Sequence, residues 1–128
     1  MNYVVIVTRA AYGTENSSTA LLFSRALIDS GHKLNSIFFY FGGVLNANQM
    51  IFPADDECNL VKYWEDFGFQ FKIKLNVCIS AASRRGVISD EQALRAGLQK
   101  GNLANGFKLT GLNELSEAIQ KCDRIVQF

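Results

Sequence analysis

Apolar residues fall along this chain in alternating rhythms, and the changes of rhythm lay out the elements. Tyr3–Thr8 is a short β-branched run that predicts a buried strand. A loop containing Gly13 follows over Arg9–Asn16. Ser17 or Ser18 then offers an N-cap for a helix running to Ser30, with Ala20, Phe23, Leu27 and Ile28 as its apolar stripe and Gly31 as its stop. Leu34–Phe41 predicts a second strand. Its aromatic run Ile37-Phe38-Phe39-Tyr40-Phe41 lacks clean alternation, which implies cover on both faces, as in a parallel sheet.

A long connection, Gly42–Ala54, carries Asn46, Asn48, Gln49 and Pro53, the only proline. Connections of this length without regular structure are often functional or interaction elements. Asp55 or Asp56 is the expected cap of a helix reaching Phe67, on which Leu60, Trp64 and Phe67 share one face. The third strand is expected over Phe71–Val77. There Phe71, Ile73, Leu75 and Val77 alternate with Lys72, Lys74 and Asn76, and Cys78 continues the polar phase. Such alternation fits poorly with a central strand buried on both faces, so part of this segment is expected to lie outside the sheet. Ser89-Asp90-Glu91-Gln92 is a capping-box pattern opening a helix that Gly97 and Gly101 interrupt. Leu112, Leu115, Ile119 and Cys122 mark a last helix, and Arg124–Phe128 a terminal strand. Strands alternating with helices argue for one α/β domain over residues 1–128, with a parallel sheet and right-handed crossovers.

Composition narrows the function. A chain of 128 residues that is 48% hydrophobic can bury a core without staples. A formal net charge of +1 gives no general basic excess of the kind nucleic-acid binding uses. The opening residues lack the basic region and apolar length of a secretory signal, and no run has transmembrane length. A soluble, cytoplasmic protein is therefore expected. Three widely spaced cysteines, Cys58, Cys78 and Cys122, include no C-x-x-C, so neither a zinc knuckle nor a thioredoxin-type motif is expected. In the cytosol they are expected to be reduced thiols. With His32 as the sole histidine and no ligand cluster, neither a metal nor a cofactor is expected.

Cys78 carries the candidate chemistry. It stands where the third strand ends and a turn begins, at the edge where open α/β sheets gather their sites. It reads either as a small buried hydrophobe or as a reactive thiol. A reactive thiol needs help to ionise near neutral pH. Arg84 and Arg85 are candidates for that help, as are the N–H groups of a first helical turn over Ile79–Ser83. The arginine pair also reads as an ordinary solvated or interface cluster. Cys58 and Cys122 read as packing residues, and His32 as a surface or helix-end residue rather than a partner for a catalytic cysteine. The Thr8–Ser18 loop only loosely resembles a phosphate cradle, having neither G-x-G-x-x-G nor a Walker lysine.

Several segments, in order and at matching spacing over essentially the whole length, look familiar. They are Ala11-Tyr12-Gly13-Thr14, Ser36-Ile37-Phe38-Phe39-Tyr40, Gly43-Val44 and Asn46-Ala47-Asn48-Gln49. Leu75-Asn76, Cys78 and Arg84-Arg85-Gly86-Val87 follow, then Gly106-Phe107, Leu109, Gly111-Leu112 and the tail residues Cys122-Asp123-Arg124 and Val126-Gln127-Phe128. In these the chain resembles the sulfur-relay subunits of the DsrE-like family. The resemblance implies a mostly parallel sheet of about five strands flanked by helices, flavodoxin-like or DsrE-like. It implies that Cys78 accepts sulfane sulfur as a persulfide and passes it on toward 2-thiolation of the wobble uridine of tRNA, by an exchange that uses one thiol and no metal. It further implies TusB-like and TusC-like subunits in a dimer of heterotrimers, a TusA-like donor and a TusE-like acceptor, with direct tRNA contact left to other proteins. Two other readings share the fold: a DsrE-type subunit of sulfur oxidation, and a non-catalytic structural subunit in which Cys78 is passive. A flavodoxin-like nucleotide binder is a third.

Overall fold

Parallel neighbours cannot be joined by tight turns, so each new strand demands a crossover, and the direction of each step decides which face its helix covers. A computed structural model describes residues 1–128. Five strands, β1 (Asn2–Val7), β2 (Lys33–Phe39), β3 (Lys74–Cys78), β4 (Phe107–Thr110) and β5 (Arg124–Gln127), form one sheet in the order β4-β3-β2-β1-β5. Every pairing is parallel. The steps from β1 to β4 all move the same way. Right-handed connections therefore set α1 (Asn16–Asp29), α2 (Leu60–Phe71), α3 (Ile79–Arg84) and α4 (Asp90–Arg95) against one face. The last step returns across the sheet to the far side of β1, which carries α5 (Leu112–Gln120) to the opposite face.

The two faces are packed unequally. On the first, Val5, Val7, Ile37, Phe39, Leu75 and Val77 meet Ala20 and Leu27 of α1, Trp64 and Phe67 of α2, and Ala81 and Ala82 of α3 in one continuous core. On the second, α5 contributes no fully buried residue. Its half-buried Leu115, Ala118 and Ile119 lie over a sheet surface where the polar Ser36 and Asn76 are also buried.

The structure moves several predicted boundaries, each for a local reason. α2 starts at Leu60 rather than at Asp55 or Asp56, because Asn59 is the side chain that accepts a hydrogen bond from the Lys62 amide. It continues through Phe71 and is closed by Lys72 in the left-handed conformation, φ 55°. The third strand therefore begins at Lys74. The apolar spacing of Phe71 and Ile73 belongs to a helix end and a turn, as the conflict between alternation and two-sided burial foretold. Within the long connection, Phe41–Ala47 winds into a 3-10 helix packed against α2 and α3. At α1 the serines do not cap: Glu15 holds the N-cap position without a side-chain bond, and Ser17 is buried instead. Gly31, at φ +82°, ends that helix as expected, and the capping box of Ser89 and Gln92 is formed with both of its hydrogen bonds. β4 was not marked by the hydrophobic pattern, being only Phe-Lys-Leu-Thr between Gly106 and Gly111.

Candidate sulfur site at the carboxyl edge of the sheet

Cys78 is the last residue of β3 and the N-cap of α3. Leu75 and Val77 point into the core beneath α2 and α3. Strand alternation thus sends Asn76 and Cys78 to the face covered by α5. Beside Cys78 in the sheet lies Thr110, its register partner at the end of β4. From Cys78 the chain turns toward one face into α3; from Thr110 it turns toward the other, through Gly111 into α5. Adjacent strands whose connections leave on opposite faces make a topological switch point, where open α/β sheets form a crevice outside their carboxyl ends. Cys78 and Thr110 stand side by side at that point.

The site is closed in the free chain. Cys78 is 3% exposed and Thr110 7%. The sulfur receives no cap hydrogen bond from the first turn of α3, although it stands at the positive end of that helix. The Thr110 hydroxyl is buried without a partner. The hydrophobic pattern does not single out Thr110, because β4 is only four residues long. The alternation of Phe107 and Leu109 with Lys108 and Thr110 was the available signal.

Arg84 and Arg85 go elsewhere. Arg84 is exposed at the end of α3. Arg85 donates a hydrogen bond to the Ala81 carbonyl at 3.2 Å. It lines a cleft of about 660 Å³ with Arg9, Tyr12, Thr14 and Phe41, past the ends of β1 and β2, and Cys78 does not reach that cleft. A buried polar cluster fixes the floor beside it. Ser17 Oγ donates to Asn46 Oδ1 at 2.6 Å and accepts from Trp64 Nε1 at 3.0 Å. Asn46 Nδ2 in turn donates to the Arg9 and Gly43 carbonyls, each at 2.9 Å. This cluster ties the loop after β1 to the 3-10 helix.

The other thiols are set apart. Cys58 is exposed in the turn before α2, contrary to its expected role in packing, because α2 begins after it rather than before it. Its carbonyl accepts a hydrogen bond from Tyr12 Oη. Cys122 is half-buried beyond α5, its thiol donating to the Ile119 carbonyl at 3.3 Å. His32 is half-buried, packed edge-on against Tyr3 at 5.4 Å between ring centroids and far along the chain from any cysteine. No helix is long and apolar enough to cross a membrane.

Comparison with known proteins agrees with this architecture. The crystal structure of the ychN protein from E. coli superposes with a TM-score of 0.76 over the whole of both chains at 21% identity, a likeness of fold. Two relatives named Sulfurtransferase TusD, from Buchnera aphidicola subsp. Acyrthosiphon pisum strains 5A and APS, are each 53% identical over 128 residues, spanning all of both chains. A model of the DsrE/DsrF-like family matches residues 1–128. With its parallel five-stranded sheet and full-length match, the chain belongs to the DsrE/DsrF-like family.

Proposed function

We propose that this chain is a sulfurtransferase that takes up sulfane sulfur on Cys78 as a persulfide and passes it on for 2-thiolation of the wobble uridine of tRNA. The observation that carries the reading is the position of Cys78: of the three thiols, it alone ends a strand at the carboxyl edge of the sheet, at the switch point. The full-length identity to chains named sulfurtransferase supports the reaction class.

The chemistry follows thiol exchange. The Cys78 thiolate attacks the outer sulfur of a donor persulfide. A new S–S bond forms on Cys78 as the donor's S–S bond breaks, and the donor leaves as a thiolate with no net change of oxidation level. A second thiolate then removes the outer sulfur in the same way. Because Cys78 is buried in the free chain, each exchange requires the edge to open. α5, with no fully buried residue, is the cover held least strongly. Docking of a partner at this edge supplies the occasion. The partners proposed are TusB-like and TusC-like subunits in a common assembly, a TusA-like donor and a TusE-like acceptor, in the cytoplasm.

The burial of Cys78 favours one competing reading, a structural subunit with a passive thiol. Intact mass spectrometry after incubation with a persulfide-loaded TusA-like donor, with the partner subunits present, separates the two. Transfer predicts a reductant-sensitive gain of about one sulfur atom, mapped to Cys78 and absent in Cys78→Ser. No gain from a donor shown to be active refutes it.

A further inference from the structure

Two buried hydroxyls in this fold lack any hydrogen-bond partner, Ser24 Oγ and Thr110 Oγ1. Ser24 sits inside α1, where the carbonyl four residues back lies within a rotamer's reach. Thr110 has no such resource. On a strand the side chain stands off the sheet while the backbone groups bond within its plane. A buried hydroxyl left unsatisfied is a standing cost to folding, and such costs are tolerated where function uses the group. Next to Thr110 in the sheet is the thiol already assigned to sulfur transfer.

We propose that Thr110 is a sulfur-binding residue, whose hydroxyl donates a hydrogen bond to the outer sulfur of the Cys78 persulfide. The inference rests on the reading of Cys78 as sulfur carrier and adds to it the group that holds the cargo. Register partners in neighbouring parallel strands are about 5 Å apart with side chains on the same face. In the resting thiol no hydrogen bond spans that gap. The persulfide extends Cys78 by one S–S bond of about 2 Å, carrying an anionic sulfur toward the waiting hydroxyl. An O–H donor aimed at an ion is among the stronger hydrogen bonds, the more so where water is excluded. The hydroxyl thus gains its partner only when sulfur is loaded, which favours the loaded state over the empty one.

The test uses the full chain with Cys58→Ser and Cys122→Ser, loaded with inorganic polysulfide and discharged with a small thiol. Loading transfers one sulfur: the Cys78 thiolate attacks a polysulfide sulfur and the shortened polysulfide anion leaves. Discharge is the same exchange with the small thiolate as acceptor. The fraction of Cys78 carrying one extra sulfur is read by intact mass at equilibrium. Thr110→Val keeps shape and branching but removes the donor. It is expected to shift the loading equilibrium toward the empty thiol by about tenfold. Thr110→Ser restores most of the loading. The melting temperature of Thr110→Val stays equal or rises, because an unsatisfied polar group has been removed; a merely structural hydroxyl predicts the reverse. Unchanged loading in folded Thr110→Val refutes the proposal, as does loss of loading in Thr110→Ser equal to that in Thr110→Val. If Cys78 takes up no sulfur with Thr110 intact, the loading is repeated on the assembly with the partner subunits, whose docking opens the edge; no uptake there either refutes the carrier reading and this inference with it.

Discussion

Asn46→Ala tests whether the buried polar cluster is a structural constraint. Asn46 is completely buried and makes three side-chain hydrogen bonds, at 2.6, 2.9 and 2.9 Å, linking α1, the loop after β1 and the 3-10 helix. Each bond contributes about 1 kcal/mol net to stability. Truncation also leaves the Ser17 hydroxyl without its acceptor and removes a donor from the Arg9 and Gly43 carbonyls, the Ser17 and Gly43 bonds being buried and the Arg9 bond part-buried. Adding the penalty for such stranded groups gives an expected destabilisation of about 3–5 kcal/mol. That is a large share of the roughly 5–15 kcal/mol typical of a domain. Urea unfolding followed by fluorescence is the assay. Trp64, the only tryptophan, is buried and bonded to Ser17, so it reports on the same cluster. At a slope of about 1–3 kcal/mol per molar urea, the midpoint falls by about 2 M. Ser17→Ala and the double variant complete a cycle, with a coupling above about 0.5 kcal/mol expected because the two side chains touch. A loss below about 1 kcal/mol with unchanged slope would show that the cluster satisfies its members without holding the elements together.

Two further outcomes follow from burial and backbone geometry. Limited alkylation of the native chain should modify Cys58 first, Cys122 next and Cys78 last, in the order of their exposure; peptide mapping over time checks this, and early labelling of Cys78 would contradict a closed edge. Lys72→Gly should raise stability by about 1 kcal/mol, since glycine adopts the left-handed closing conformation of α2 without the penalty of a side chain, and thermal unfolding would expose a failure to do so.

Features encoded over a few neighbouring residues were legible in the sequence. Ser89 and Gln92 are three apart and cap each other wherever that helix goes. Gly31 stops α1 through its own backbone freedom. Cys78 was recognisable at a strand end because the change from apolar run to small and basic residues is itself local. The start of α2 was not legible, since Asp55, Asp56 and Asn59 are all competent caps and only packing of the helix behind Leu60 and Trp64 selects among them. β4 is too short to stand out by pattern and owes its existence to the edge of β3.

By itself, then, the sequence determined the alternation of elements, the parallel class of the sheet and the candidate thiol, because propensity, periodicity and turn chemistry act along the chain. The tertiary structure alone decided that Cys78 is buried on the α5 face beside Thr110, that Arg85 turns to the cleft past β1, and that Cys58 is left in solvent. Those facts depend on strand order and on the face each crossover covers, and both are settled by contacts between residues far apart in sequence, where a local pattern carries no information.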